Sequence, residues 1–358
     1  MRTVWLILPV FKVGGVEKWI EHVFRVLEKH YEVTVYVTGE VDIKAQKIFS
    51  VDVKKINILS LIKEAIKTKP DYVISALTPA NVLACIIFAP LKTKVITSIH
   101  LTLGRLSSKS LIHQMYRFFA HWLINIGSTR VIAVSDGVKK DFYNLVYNYS
   151  DKAVVIYNPC FQNADINLIN NPRSTNSPLR FVAVGRFDKQ KNFKDLMYCF
   201  LRALEKGCDY YLDIFGDGPE FEQVAEMIPD LYSDRIKLLG NQPNIISHLS
   251  NYDIFVLPSL YEGFGNVLAE ALSAGLYCIS RDCPHGPSEI LNDGEFGILI
   301  NPSDDLAIVF NEINLDYENY IARVNSSYRK VLHKHLQNFT SEEFSKRLLL
   351  LMAEIETI

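Results

Sequence analysis

The sequence predicts an α/β fold of two doubly wound parallel sheets, each in its own domain. Three observations carry that prediction. The 358 residues exceed the length at which one hydrophobic core usually stops growing. Both halves alternate short β-branched runs with longer amphipathic stretches, the pattern of strand, helix, strand crossovers. Between the halves, residues 162–178 are rich in Asn, Pro and Ser and lack apolar periodicity, as a linker does. A composition of 49% hydrophobic and 22% charged residues excludes a disordered, collagen-like or disulfide-scaffold chain.

In chain order the first half offers strands at residues 3–9, 32–38, 71–76, 93–99, 130–135 and 153–157. The apolar start reads as the first of these strands, since it lacks the long basic region and small-residue cleavage site of a secretion signal. The second half offers strands at 180–185, 211–216, 236–240, 254–258, 277–281 and 297–300. The expected organisation is a domain over 1–161, a linker over 162–178, a domain over 179–340 and a final helix over 341–358. On that helix Phe344, Leu348, Leu351 and Ile355 share one apolar face. The longest apolar runs, such as residues 82–91, fall well short of the ~20 residues that cross a bilayer. Six cysteines without Cys-x-x-Cys or zinc-type spacing read as reduced, buried thiols of a cytoplasmic protein.

Charge divides the chain. Residues 1–158 carry 21 Lys and Arg against 12 Asp and Glu, and the remainder 17 against 28. A basic first half points to an anionic partner, with a solvated basic surface as the alternative. Lys109, His113, Arg117 and His121 recur every four residues beside Met115, Phe118, Phe119 and Trp122. On a helix this makes a cationic stripe next to an aromatic one, the form of an interfacial helix; a core helix with a basic edge is the alternative.

Ligands in such sheets bind beyond the C-terminal ends of the strands. After the first strand, Gly14 and Gly15 precede a helix start, where a main chain approaches a ligand closely and helix amides face an anion. The spacing is not Gly-x-Gly-x-x-Gly, which disfavours a nicotinamide oxidoreductase. In the second half, Arg186 follows a strand and Lys191 comes five residues later, two cations suited to a diphosphate. Gly216-Asp217-Gly218-Pro219 forms another glycine turn. In the run from Leu257 to Gly275, a strand ends at Pro258, Gly263-Phe264-Gly265 turns the chain and a helix begins near Asn266. That places Glu262 in the loop and Glu270 just inside the helix, where a carboxylate can accept bonds from vicinal ribose hydroxyls.

The ordered set of the Gly14-Gly15 loop, His100, Asn158-Pro159, Gly185-Arg186 to Lys191-Asn192, Gly216 to Pro219, and Glu262 with Glu270 at Glu-x7-Glu spacing resembles the retaining glycosyltransferases of family 4. That resemblance implies the GT-B fold, with two Rossmann-like domains facing across a cleft and a C-terminal helix packing back toward the N-terminal domain. The first domain would bind acceptor and the second a nucleotide sugar, UDP-linked, as co-substrate with no resident cofactor and no metal. Glu270 would hold the donor ribose, Arg186 and Lys191 the diphosphate, and Gly15 the phosphate by its backbone. Glu262 would face the sugar hydroxyls, with the main chain of Phe264, Gly265 and Asn266 close by, and His100 would lie near the transferred sugar. Residues 282–291 look similar to bacterial members that use UDP-hexoses or N-acetylhexosamines to build lipopolysaccharide, capsule or lipid-linked glycans. The implied partners are the donor, a glycan or lipid-linked acceptor and an anionic membrane surface at the inner face of the cytoplasmic membrane, with no nucleic acid. A nucleotide-sugar epimerase and a catalytically silent binding module are the rival readings.

Overall fold

The computed structural model describes residues 1–101, 111–146, 152–163, 178–242, 245–324 and 326–357. Two compact units emerge: Met1–Pro159 together with Ser341–Ile358, and Cys160–Thr340. Most of the expected linker, residues 164–177, lies outside the described residues. The first unit closes at Pro159, two residues before the expected 161. Cys160 and Phe161 instead pair with the end of the second unit, through a 2.9 Å bond from the Cys160 N–H to the Phe339 carbonyl and a bridge between Phe161 and Thr340.

The first unit runs β1 (Thr3–Leu8), α1 (Gly15–Leu27), β2 (Glu32–Val37), α2 (Ile43–Phe49), β3 (Val53–Lys55), α3 (Ile58–Thr68), β4 (Tyr72–Ala76), α4 (Thr78–Phe88), β5 (Lys94–Ile99), α5 (Leu111–Gly127), β6 (Arg130–Ala133), α6 (Asp136–Val146) and β7 (Ala153–Val155). Its sheet is parallel in the order β3-β2-β1-β4-β5-β6-β7. The strand order reverses beside β1, which puts a crevice beyond the C-terminal ends of β1 and β4. Strand β3 was not expected from the sequence. Only three residues long and exposing Lys54 and Lys55, it is a charged edge too short to show alternation.

The second unit continues with β8 (Leu179–Val184), α7 (Phe193–Glu205), β9 (Tyr210–Phe215), α8 (Phe221–Ala225), β10 (Ile236–Leu238), α9 (Ile245–Leu249), β11 (Ile254–Leu257), α10 (Asn266–Ser273), β12 (Tyr277–Arg281), α11 (Pro287–Ile290), β13 (Gly297–Ile300), α12 (Leu306–Arg323) and α13 (Ser326–Leu336). These strands form a parallel sheet ordered β10-β9-β8-β11-β12-β13, with its own reversal at β8.

The last helix, α14 (Ser341–Glu356), belongs to the first unit. Phe344, Leu348, Leu351, Met352 and Ile355 are buried in the core that holds β1 and α1, and the Phe344 ring meets Trp19 edge-on at 6.0 Å. Polar contacts at its far end fix the docking, with Glu354 paired to Arg130 and Glu356 to Arg2.

Among the described residues, the cationic stripe expected on α5 loses its last member. His121 is fully buried against Phe142, its ring centroid 6.0 Å away, and its Nδ1 donates to the Arg117 carbonyl at 2.8 Å. Burial pushes its imidazolium form down, so His121 stays neutral and belongs to the core. Lys109 lies outside the described residues. The apolar side is nonetheless open: Ile112, Met115, Tyr116, Phe119 and Trp122 are all exposed.

Candidate active site

In the second unit both expected cations sit on the loop joining β8 to α7. Asp188 shapes that loop, its carboxylate accepting the Lys191 N–H at 3.1 Å and its carbonyl the Asn192 N–H at 3.3 Å. On one side the turn after β9 locks onto it. The Phe187 N–H donates to the Asp217 carbonyl at 3.0 Å and the Glu220 N–H to the Phe187 carbonyl at 2.9 Å. A Cβ on Gly216 would stand 1.8 Å from the Gly185 carbonyl oxygen, and its φ of +135° already favours glycine. On the other side the loop is tied to the chain after β11. The Leu260 N–H donates to the Gln190 carbonyl at 2.8 Å and Gln190 Nε2 to the Tyr261 carbonyl at 2.9 Å.

These clamps set Lys191 beside Glu262, with Nζ 2.6 Å from Oε1 and side chains only 15% and 8% exposed. The Lys191 stem crosses the space left by Gly185, at 3.0 Å from where a Cβ would stand. Glu262 is itself held by its backbone, donating to the Pro284 carbonyl at 2.7 Å and accepting from the His285 N–H at 3.2 Å. Arg186, on the same loop, leaves 73% of its side chain exposed and lies 3.9 Å from Asp188. Phe264 and Gly265 are buried and lead into α10, whose first residue is Asn266 and whose second turn carries buried Glu270. The Phe264 ring packs on Phe339 at 5.3 Å. Lys191 and Glu262 thus neutralise one another, while Arg186 presents its charge to water.

In the first unit Gly15 opens α1 directly beyond β1, and His100 follows β5. Trp19, one turn into α1, meets the His100 ring edge-on at 5.0 Å. His100 is held from behind by a polar network that the sequence reading missed. The Ser98 hydroxyl donates to the Ser75 carbonyl at 3.0 Å, so its oxygen is left to accept from His100 Nε2 at 3.1 Å. Asn81 braces both strands, donating to the Ser98 carbonyl and accepting from the Ser75 hydroxyl, each at 2.8 Å. Hydroxyls and an amide inside otherwise apolar runs were the available signal. Burial pushes the imidazolium of His100 down to about 3, so the ring is neutral, with Nδ1 left as an acceptor.

Comparison with known proteins gives the family and the fold. Residues 13–160 match the family described as Glycosyltransferase Family 4, and residues 178–314 match Glycosyl transferases group 1. The chain belongs to the family 4 glycosyltransferases. This family 4 chain is 29% identical over 231 residues to the lipopolysaccharide 1,6-galactosyltransferase of Escherichia coli, a match covering 60% of this chain and 62% of that protein. A second relative is the N-acetylgalactosamine-N,N'-diacetylbacillosaminyl-diphospho-undecaprenol 4-alpha-N-acetylgalactosaminyltransferase of Campylobacter jejuni. It is 27% identical over 191 residues, covering 51% of this chain and 50% of the relative. The aligned stretches therefore span between half and two thirds of these relatives' length. The GT-B fold is shared with Anabaena Alr3699/HepE, whose crystal structure is in complex with UDP. That likeness has a TM-score of 0.81 at 18% identity and covers 99% of this chain and 100% of the other. No helix among the described residues of this glycosyltransferase is long and apolar enough to cross a membrane.

Proposed function

We propose that this glycosyltransferase moves a hexose or N-acetylhexosamine from a UDP-sugar to a glycan or lipid-linked glycan acceptor, retaining the anomeric configuration and using no metal. The observation that carries the reading is the clamped loop that holds Lys191 against Glu262 and leaves Arg186 open beside it. An ammonium has three N–H donors, so Lys191 can keep Glu262 and still give one to a phosphate. Arg186 supplies a two-pronged donor to the same diphosphate. As the bond from the sugar C1 to the β-phosphate oxygen breaks, its electron pair leaves on the diphosphate, where the two cations stabilise the growing charge. Glu262 orients the sugar hydroxyls while the acceptor hydroxyl oxygen attacks C1 from the leaving-group face and gives its proton to the departing diphosphate oxygen, and Glu270 accepts from the ribose hydroxyls. Neutral His100 offers Nδ1 as an acceptor near the sugar; it does not supply a proton.

The relatives named above support a surface-glycan role, and the Campylobacter one supports a lipid-linked acceptor. We propose accordingly that the exposed apolar side of α5, set in a basic half-chain, rests on an anionic lipid surface at the cytoplasmic face of the membrane. The test of the transfer reading is a panel of UDP- and GDP-hexoses and N-acetylhexosamines scored by melting shift, since a bound donor stabilises by mass action. The expected result is a shift with a UDP-sugar, followed by α-linked product from an α-linked donor in proton NMR and activity that survives EDTA. A β-linked product, or loss on chelation with rescue by magnesium, would refute retention or metal independence respectively. Epimerised donor without acceptor would replace transfer by epimerisation.

A further inference from the structure

The glycines of the first-unit loop do not hold its shape alone. Glu17, at the third position of α1, is buried, and no Lys or Arg side chain pairs with it among the described residues. Its carboxylate folds back under the loop. Oε1 accepts the Lys12 N–H at 3.2 Å, and Oε2 lies 2.8 Å from where a Cβ on Gly14 would stand. Gly14 has an extended backbone, φ −172°, that any residue adopts, and the end of the Glu17 side chain occupies the space where a side chain at that position would begin. Burial raises the carboxyl above its ordinary range, offset in part by the Glu17 and Lys12 backbone amides.

We infer that Glu17 is a positioning residue for the phosphate-binding loop: by taking up the Lys12 amide from beneath, it sets Gly14 and Gly15 so that the first two amides of α1 face outward. Those amides, on Gly15 and Val16, are the ones a helix cannot satisfy internally, and they are the groups an anion would meet. Phe11 anchors the other end of the loop through backbone bonds to Glu40 and Asp42, both under 3 Å. The loop is therefore fixed at Phe11 and at Glu17, with only Lys12 to Val16 between them. A glutamine can hold the same N–H through its carbonyl oxygen; an alanine cannot.

The inference rests on the reading that the Gly15 backbone meets the donor diphosphate, and the experiment separates the two. UDP and UMP binding are measured by calorimetry for wild type, Glu17→Gln and Glu17→Ala, at a temperature well below each melting point. In parallel the Gly15 amide resonance is followed during UDP titration of the wild type. Glu17→Ala is expected to weaken UDP about tenfold or more with UMP changed little, and Glu17→Gln to stay within about threefold of wild type. Equal loss of UDP and UMP, or Gln as poor as Ala, would overturn the positioning role. So would unchanged UDP binding in Glu17→Ala while the wild-type Gly15 resonance moves. An unmoved Gly15 resonance would overturn the underlying reading itself.

Discussion

Because the Lys191 ammonium and the Glu262 carboxylate share a largely dry contact, the two positions answer to mutation together. Removing one partner of a buried pair costs about 3–5 kcal/mol, so Glu262→Ala is expected to lower the urea midpoint as well as turnover. Glu262→Gln keeps a hydrogen-bond acceptor for Lys191 but not the counter-charge, so it should lower turnover and lower the urea midpoint less than Glu262→Ala does. Glu270→Ala should differ from both: losing bonds from an ionised acceptor costs about 1.5–3 kcal/mol, or roughly ten- to a hundredfold in UDP affinity. Equal UDP affinity for wild type and Glu270→Ala by calorimetry would remove the ribose assignment. His100 gives a prediction of sign. Its folded value is depressed to about 3, below the unfolded value near 6.5. Its contribution to stability is therefore full above about 6.5 and is lost as pH falls toward 3. His100→Asn should flatten the acid side of the stability profile in urea melts between those limits, while the wild-type rate shows no titration of this ring from pH 5 to 8. Site residues were legible here wherever position alone mattered, as with His100 after β5 and Lys191 in its loop. Their partners were not, because Ser98, Asn81 and Asp188 act through hydrogen bonds that join distant or turned segments.

At the level of elements, strand and helix succession could be read because every long strand is an apolar run closed by a turn signal, as at β8, β11 and β12. What periodicity could not decide was orientation. The α5 pattern allowed a cationic row, yet His121 turns inward onto Phe142 while Phe119 and Trp122 stay outside. The proposed attachment through this helix would then draw more on apolar insertion than on charge. Flotation with vesicles should recover more protein with anionic than with neutral lipid at low salt, each nearby cation adding about 1 kcal/mol. Replacing both Phe119 and Trp122 by Ser should lower recovery with either lipid. Failure of the wild type to float with any vesicle would exclude this face as a membrane contact.

For the whole chain, the division into units does not follow the order of the sequence, since α14 comes after the second unit and completes the core of the first. Phe344→Ala should cost about 3–5 kcal/mol, as large-to-small changes in a packed core do. Hydrogen exchange should then accelerate in α1 and β1 and leave α7 and β8 unchanged; uniform acceleration would mean the two cores are not separately stabilised. The same arrangement orders events on the ribosome. The nascent first sheet emerges with the Trp19 face uncovered and waits while the 181 residues of Cys160–Thr340 are translated. At ~5–20 residues per second that interval is roughly 10–40 s. The half of the protein made first is the last to be finished, and through that interval the apolar side chains that α14 will cover are open to chaperones.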